Sequence, residues 1–286
     1  MNEERKEKLN GIARSGVGIF LCFILFFSAL FGVLGLGCVY TKNSWDFWSP
    51  DYEKIDISAI LEKTEFSDTD YEILYTQTGL TRLAIDDYIA TEQQTEILRT
   101  QAFFFRKHKV APERIAPFSY IEYIEEYSPM AILKDGDILV TATTRVSWFR
   151  YGHAALVVDG HNGVILESFA PGQNSSLGYS LAFSDLANFI VLRPTTSDSV
   201  KTQVVEFAKG HMLDLPYSMT TGVLSKKFPD TIKKTQCAHL VWYAYKKFGL
   251  DLDSTGGGVV KPQDIANSDK VEVVQVFGFN PKTLWR

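Results

Sequence analysis

Gln236-Cys237-Ala238-His239-Leu240-Val241-Trp242-Tyr243-Ala244-Tyr245 opens on a cysteine and continues without a charged side chain. The run is mostly apolar and halts at Gly249, so residues 237–248 read as a helix. Cys237 is the only cysteine outside the hydrophobic N-terminal segment, which holds Cys22 and Cys38. A thiol in the first turn of a helix faces the positive end of the helix dipole, which favours a thiolate. Upstream, Gly152-His153-Ala154-Ala155-Leu156-Val157-Val158 reads as a strand with a histidine at its head. A thiol at a helix start and an imidazole at a strand head are the parts from which a cysteine nucleophile is made.

Around these two segments the pattern is that of an α+β domain. Lys134-Asp135-Gly136-Asp137 is a turn leading into a strand at 138–142. The tight turn Asp159-Gly160-His161-Asn162-Gly163 joins the histidine strand to another at 164–168, making a hairpin. Further strands read at 189–193 and 271–276. A helix reads at 199–213, with Val200, Val204, Phe207, Ala208 and His211 on one stripe. The expected unit spans residues 128–286, an antiparallel sheet packed on helices. Residues 41–127 read as a juxtamembrane connector followed by two or three helices packed on that domain. Leu80, Leu83, Ala84, Tyr88 and Ile89 carry one helical stripe, and Ile97, Leu98, Gln101, Ala102 and Phe105 another. Pro112 and Pro117 then break the helical pattern.

No residue between Arg14 and Lys42 is charged. As a helix, residues 17–39 would extend roughly 35 Å at 1.5 Å per residue, enough to cross a bilayer core. Arg5, Lys6, Lys8 and Arg14 precede the run, and Lys42 is the only close cation after it. The positive-inside rule then puts residues 1–14 in the cytoplasm, residues 15–40 in the membrane and the rest on the extracytoplasmic face. Trp45 and Trp48 suit the outer interface. Two other readings are open. Leu34-Gly35-Leu36-Gly37-Cys38 is a loose lipobox, in which cleavage before Cys38 would leave a lipidated cysteine. The run could also be a buried hairpin of a soluble body.

The 286 residues carry a formal net charge of -5, which excludes a strongly basic nucleic-acid binder. With 45% hydrophobic and 22% charged residues the chain is globular rather than disordered. Three cysteines, two of them in the apolar run, exclude a disulfide framework. Neither C-x-x-C nor H-E-x-x-H spacing is present, and no metal or organic cofactor is expected.

Taken in order, Gly136-Asp137-Ile138, Gly152-His153, Glu167, Pro216-Tyr217 and Cys237, in a helix continuing Val241-Trp242-x-Ala244-Tyr245, resemble the circularly permuted NlpC-type papain-like enzymes. The YiiX/YaeF-like branch is the nearest. The likeness covers roughly residues 128–286. In it the histidine precedes the cysteine, the reverse of ordinary papain-like enzymes. It implies a membrane-anchored cysteine amidase or peptidase with Cys237 as nucleophile, His153 as base and Glu167 as the third, polar member. The expected substrate is a peptide or amide, with peptidoglycan of a bacterial cell wall or lipid as possible sources. Tyr217, from the tyrosine motif before the cysteine, and Gln236 are secondary candidates for substrate or oxyanion contacts. At the nucleophile the branch often has Tyr-Cys-Ser-Glu, where this chain has Gln236-Cys237-Ala238-His239. That Cys-x-His step is similar to the lecithin retinol acyltransferase group, which acts on acyl lipids. An acyltransferase or thioesterase, or an inactive tethered binding domain, are therefore the alternatives.

In such a site a carboxylate on the second hairpin strand would accept the other imidazole N–H and fix the ring. The backbone N–H of Cys237 would face an oxyanion. Each residue also has a plain structural reading: Cys237 as a small buried side chain, His153 as a satisfied strand histidine, Glu167 as an edge carboxylate. His239 is two residues beyond Cys237, about 200° round the helix, and should pack away from the thiol. His108, His161 and His211 read as structural or solvated, and Gly256-Gly257-Gly258 as a turn.

Overall fold

The uncharged N-terminal run forms one continuous helix, α1 (Glu3–Tyr40). The computed structural model describes residues 3–41 and 47–285, with side chains from Val17 onward. Within α1, Val17–Tyr40 has a mean hydropathy of 2.7 and is not buried in the protein, so it is long and apolar enough to cross a membrane. The hairpin alternative is thereby set aside. Trp45 lies outside the described residues. Trp48 turns inward and packs on Tyr52 and Phe104 instead of facing a lipid interface.

Short helices follow: α2 (Ser58–Leu61), α3 (Asp68–Thr78), α4 (Arg82–Ala90) and α5 (Gln94–Phe104). The start of α3 is fixed by a reciprocal cap between Ser67 and Asp70, and its end by Gly79 in the left-handed region. Next come β1 (Ala111–Ala116), β2 (Ser119–Tyr123), β3 (Ile138–Thr141), β4 (Arg145–Val146), β5 (Phe149–Arg150), β6 (His153–Asp159), β7 (Val164–Glu167) and β8 (Ser176–Tyr179). The chain closes with α6 (Leu181–Ser184), β9 (Phe189–Pro194), α7 (Asp198–His211), α8 (Cys237–Lys247), α9 (Pro262–Ala266) and β10 (Val271–Phe277).

Two antiparallel sheets result. The larger has the order β10-β9-β3-β6-β7-β8, and the smaller β1-β2-β4-β5. The larger sheet is covered on both faces, which is why its central strands read as unbroken apolar runs. Ile138, Val140, Ala154, Leu156, Ile190 and Leu192 point to one face and share a core with α7 and α8. Leu139, Ala155, Val157, Phe189 and Val191 point to the other, where α3, α4, α5 and α6 bury Leu74, Ile85, Ile97 and Phe183 on them. Residues 57–124 thus share one core with the sheet, and Thr81 donates its backbone N–H to Val274 of β10. Nine consecutive residues of α8, Cys237 to Tyr245, are buried. At about 1.5–3 kcal/mol for each large apolar side chain, this helix is a main prop of the fold.

Buried charges tie the layers. Asp137 forms a forked pair with Arg193 at 2.9 and 2.8 Å and accepts the Lys134 N–H. Glu122 on β2 is completely buried and accepts from Arg145 at 3.1 Å and from Arg150 at 2.8 and 2.9 Å. Pro112 sits in β1, an edge strand, where a missing N–H is tolerated.

Candidate active site

Gln236 caps α8: its Oε1 accepts the N–H of Ala238 at 3.0 Å. Its Nε2 donates to the Val260 carbonyl at 2.7 Å, so the amide is held from both ends. Cys237 is therefore the first helical residue, and its thiol lies 3.3 Å from Gln236 Oε1. The backbone N–H of Cys237 has no acceptor among the described residues, as expected of a first-turn donor. Two residues on, His239 points away, as its angular position requires. Its Nδ1 meets the Thr235 hydroxyl at 2.9 Å and its Nε2 the Lys227 carbonyl at 2.8 Å. Burial lowers its pKa to about 4, against which the Lys227 carbonyl contact acts weakly. It is a neutral clamp on the start of α8.

The imidazole comes from the opposite element. Gly152, at φ 71°, precedes β6, and a Cβ there would fall 2.3 Å from the Trp285 ring and 2.6 Å from the Thr141 carbonyl. Only glycine fits, and it delivers the chain into the strand with His153 at its head. Across the hairpin Ala155 pairs with Glu167, so His153 and Glu167 are diagonal neighbours on one face. Their side chains meet, with His153 Nε2 2.6 Å from Glu167 Oε2. Nε2 is thus the ring nitrogen engaged by the carboxylate. The ring is gripped by Phe183, stacked at 5.7 Å, and by Phe169, edge-on at 5.2 Å. Burial alone would discharge this imidazole. Hydrogen bonding to Cys237 and Glu167 outweighs burial and pushes the His153 pKa up to about 10.

Two tyrosines complete the surroundings. Burial raises the pKa of Tyr217, and the nearby Cys237 and Tyr151 raise it further. Tyr151 is raised by the same causes, burial first and then Cys237, and its hydroxyl lies 3.1 Å from Ser119 Oγ. Cys237, His153, Glu167 and Tyr217, named from the sequence, are thus brought together. Gln236 adjoins the thiol, with its amide engaged in capping. Tyr151 was not singled out; its position directly ahead of Gly152-His153 is the signal that could have found it. A cleft of about 300 Å³ opens on His153 and Glu167, walled by Ile121, Tyr123, Phe169 and Phe183 together with Thr141, Thr144, Gln173 and Ser176; Cys237 is not among its lining residues. A larger hollow, about 550 Å³, lies by the β6–β7 turn and carries none of these residues. No protein-family model, curated protein or solved structure matches the chain.

Proposed function

We propose that the protein is a membrane-anchored cysteine hydrolase that cleaves amide bonds through a thioester acyl-enzyme, on a permuted papain-like domain of the NlpC type. The observation that carries this reading is the pairing of His153 with Glu167, carboxylate oxygen 2.6 Å from ring nitrogen, with the Cys237 side chain close enough to help raise the His153 pKa. The Cys237 thiolate attacks the amide carbonyl, forming the S–C bond and an oxyanion. The first-turn N–H of Cys237 and a neighbouring tyrosine hydroxyl receive that charge. His153 gives its proton to the leaving nitrogen as the C–N bond breaks. Neutral His153 then takes a proton from water, whose oxygen attacks the thioester; the S–C bond breaks, releasing the acid and restoring the Cys237 thiolate beside protonated His153. Glu167 keeps the ring oriented throughout and stabilises the imidazolium. By the charge asymmetry around α1 the site faces the extracytoplasmic side, where a cell-wall peptide is the natural amide.

The Ile121, Phe169, Phe183 and Leu186 part of the cleft wall supports a second reading, in which the acyl group is a lipid chain and the step is transfer or thioester hydrolysis. Both are tested on the full-length chain and its Cys237→Ala variant. Release of amine from peptide amides by the parent and not by the variant is the expected result, and equal release by both would end the hydrolase reading. Mass spectrometry of Cys237 after exposure to phospholipid separates the two: an adduct of fatty-acyl mass favours the lipid reading.

A further inference from the structure

The far end of α1 does not stand free of the domain. Two hairpin turns grip it: Pro117-Phe118 between β1 and β2, and Ser147-Trp148 between β4 and β5. Ser147 Oγ donates to the Leu34 carbonyl at 3.0 Å, and the Phe118 and Phe31 rings are 5.8 Å apart. A Cβ on Gly37 would fall 2.0 Å from Ser147 Oγ and 2.1 Å from the Trp148 ring, so this approach is possible only at a glycine. Arg145 donates to the Thr41 hydroxyl at 2.7 Å and to the Ser147 carbonyl at 2.6 Å, and the same guanidinium is braced on buried Glu122. The two turns are also joined directly, Ser147 N–H to Phe118 carbonyl at 2.7 Å.

We propose that these two turns, with Phe149, form a collar that enters the bilayer surface around α1 and holds the catalytic cleft against the lipid. Depth is the first reason. The apolar span runs to Tyr40, yet the turns touch Phe31, Leu34, Gly35 and Gly37, about 5–14 Å short of its end at 1.5 Å per residue. Whatever medium surrounds that part of the helix surrounds the turns. Composition is the second. Trp148 is 53% exposed, Phe149 58% and Ile115 41%, an apolar and aromatic rim of the kind that settles at a membrane interface. Conformation is the third. Phe118 and Ser147 adopt φ values of 65° and 54°, a region that bulky residues enter only when held there. The cleft follows from β2: Ile121, on its wall, is three residues from Phe118, roughly 10 Å along the strand.

The proposal rests on α1 entering a bilayer and is independent of the cysteine chemistry. It is tested with the full-length chain and its Trp148→Phe variant, both carrying Cys237→Ala, reconstituted into phosphatidylcholine vesicles. Bromine is placed on the acyl chains either near the headgroup or near the chain end, and tryptophan quenching is read after flotation. Both chains should float, and the parent should show a component of quenching by the shallow bromines that Trp148→Phe lacks. Equal quenching of the two chains would overturn the collar, whether Trp148 faces water or a second copy of the protein. Failure to float would overturn the collar and the membrane reading of α1 together, leaving the hydrolase assay as a separate matter.

Discussion

The large sheet with α8 and the small sheet that grips α1 solve the same problem by different means. The former is built from long apolar runs, with a few polar members set towards strand ends, among them His153, Glu167 and the Arg193–Asp137 pair. The latter is built from strands as short as two residues, and its pairing is organised around a charge: Glu122, wholly buried between Arg145 and Arg150. Apolar packing tolerates small changes and gives stability by area. A buried charge cluster gives geometry, and it fails sharply when one member is lost. The region of the candidate site therefore owes its shape to packing with a few polar groups added. The gripping region owes its shape to polar groups with little packing behind them.

That contrast can be broken most directly at Glu122. Replacing Glu122 by Gln removes the buried carboxylate that accepts from Arg145 and Arg150, and should destabilise the full-length chain by about 3–5 kcal/mol in denaturant unfolding. Alkylation of Cys237 in the molecules that remain folded should be unchanged. If stability does not move, the small sheet is not held by its charges.

A smaller effect sharpens the catalytic side. His239 has its pKa lowered to about 4 in the folded chain, against 6.5 unfolded. The unfolded chain therefore binds more protons between those values, and stability falls as pH drops from 6.5 through 4, by about 3 kcal/mol for a shift of this size. Melting followed across that range should show the loss, and a His239→Gln variant should show a flatter profile. An identical slope in both would mean that the clamp on α8 lies elsewhere.

Smallest of the three is the carboxylate. Cys237 and Glu167 raise the His153 pKa to about 10, so in the proposed mechanism the proton for the leaving group is kept until the pH rises towards that value. Glu167→Gln removes one of those partners, so the alkaline limb of the rate profile should move to lower pH and the rate at neutral pH should fall roughly tenfold, about 1.4 kcal/mol. A limb that stays in place would show that Glu167 does not act on the ring.

How far the sequence could be read follows the same division. β3, β6, β7, β9 and β10 and the helices α7 and α8 stood out because an apolar strand or stripe several residues long is a local signal. Cys237 and His153 were visible as the residues that begin such segments. β1 gave nothing of the kind: all six of its residues are exposed, and it contains a proline. β4 and β5 are too short to carry a period, and Arg145 looks like a surface residue until Glu122 is placed beside it. Tyr151 escaped for a related reason, since its neighbours Ser119 and Cys237 are distant along the chain. The inward turn of Trp48 likewise depends on Phe104, which no local pattern ties to it.

The double covering of the large sheet bears on how the protein can be handled. Trimming the chain to residues 128–286 would keep every side chain of the proposed site but strip the layer over Leu139, Ala155, Val157 and Val191. Such a truncation invites aggregation, because a broad greasy surface would meet water. A recombinant version without the apolar part of α1 should therefore keep Phe47 and Trp48, which pack on the near edge of that layer through Phe277 and Phe104.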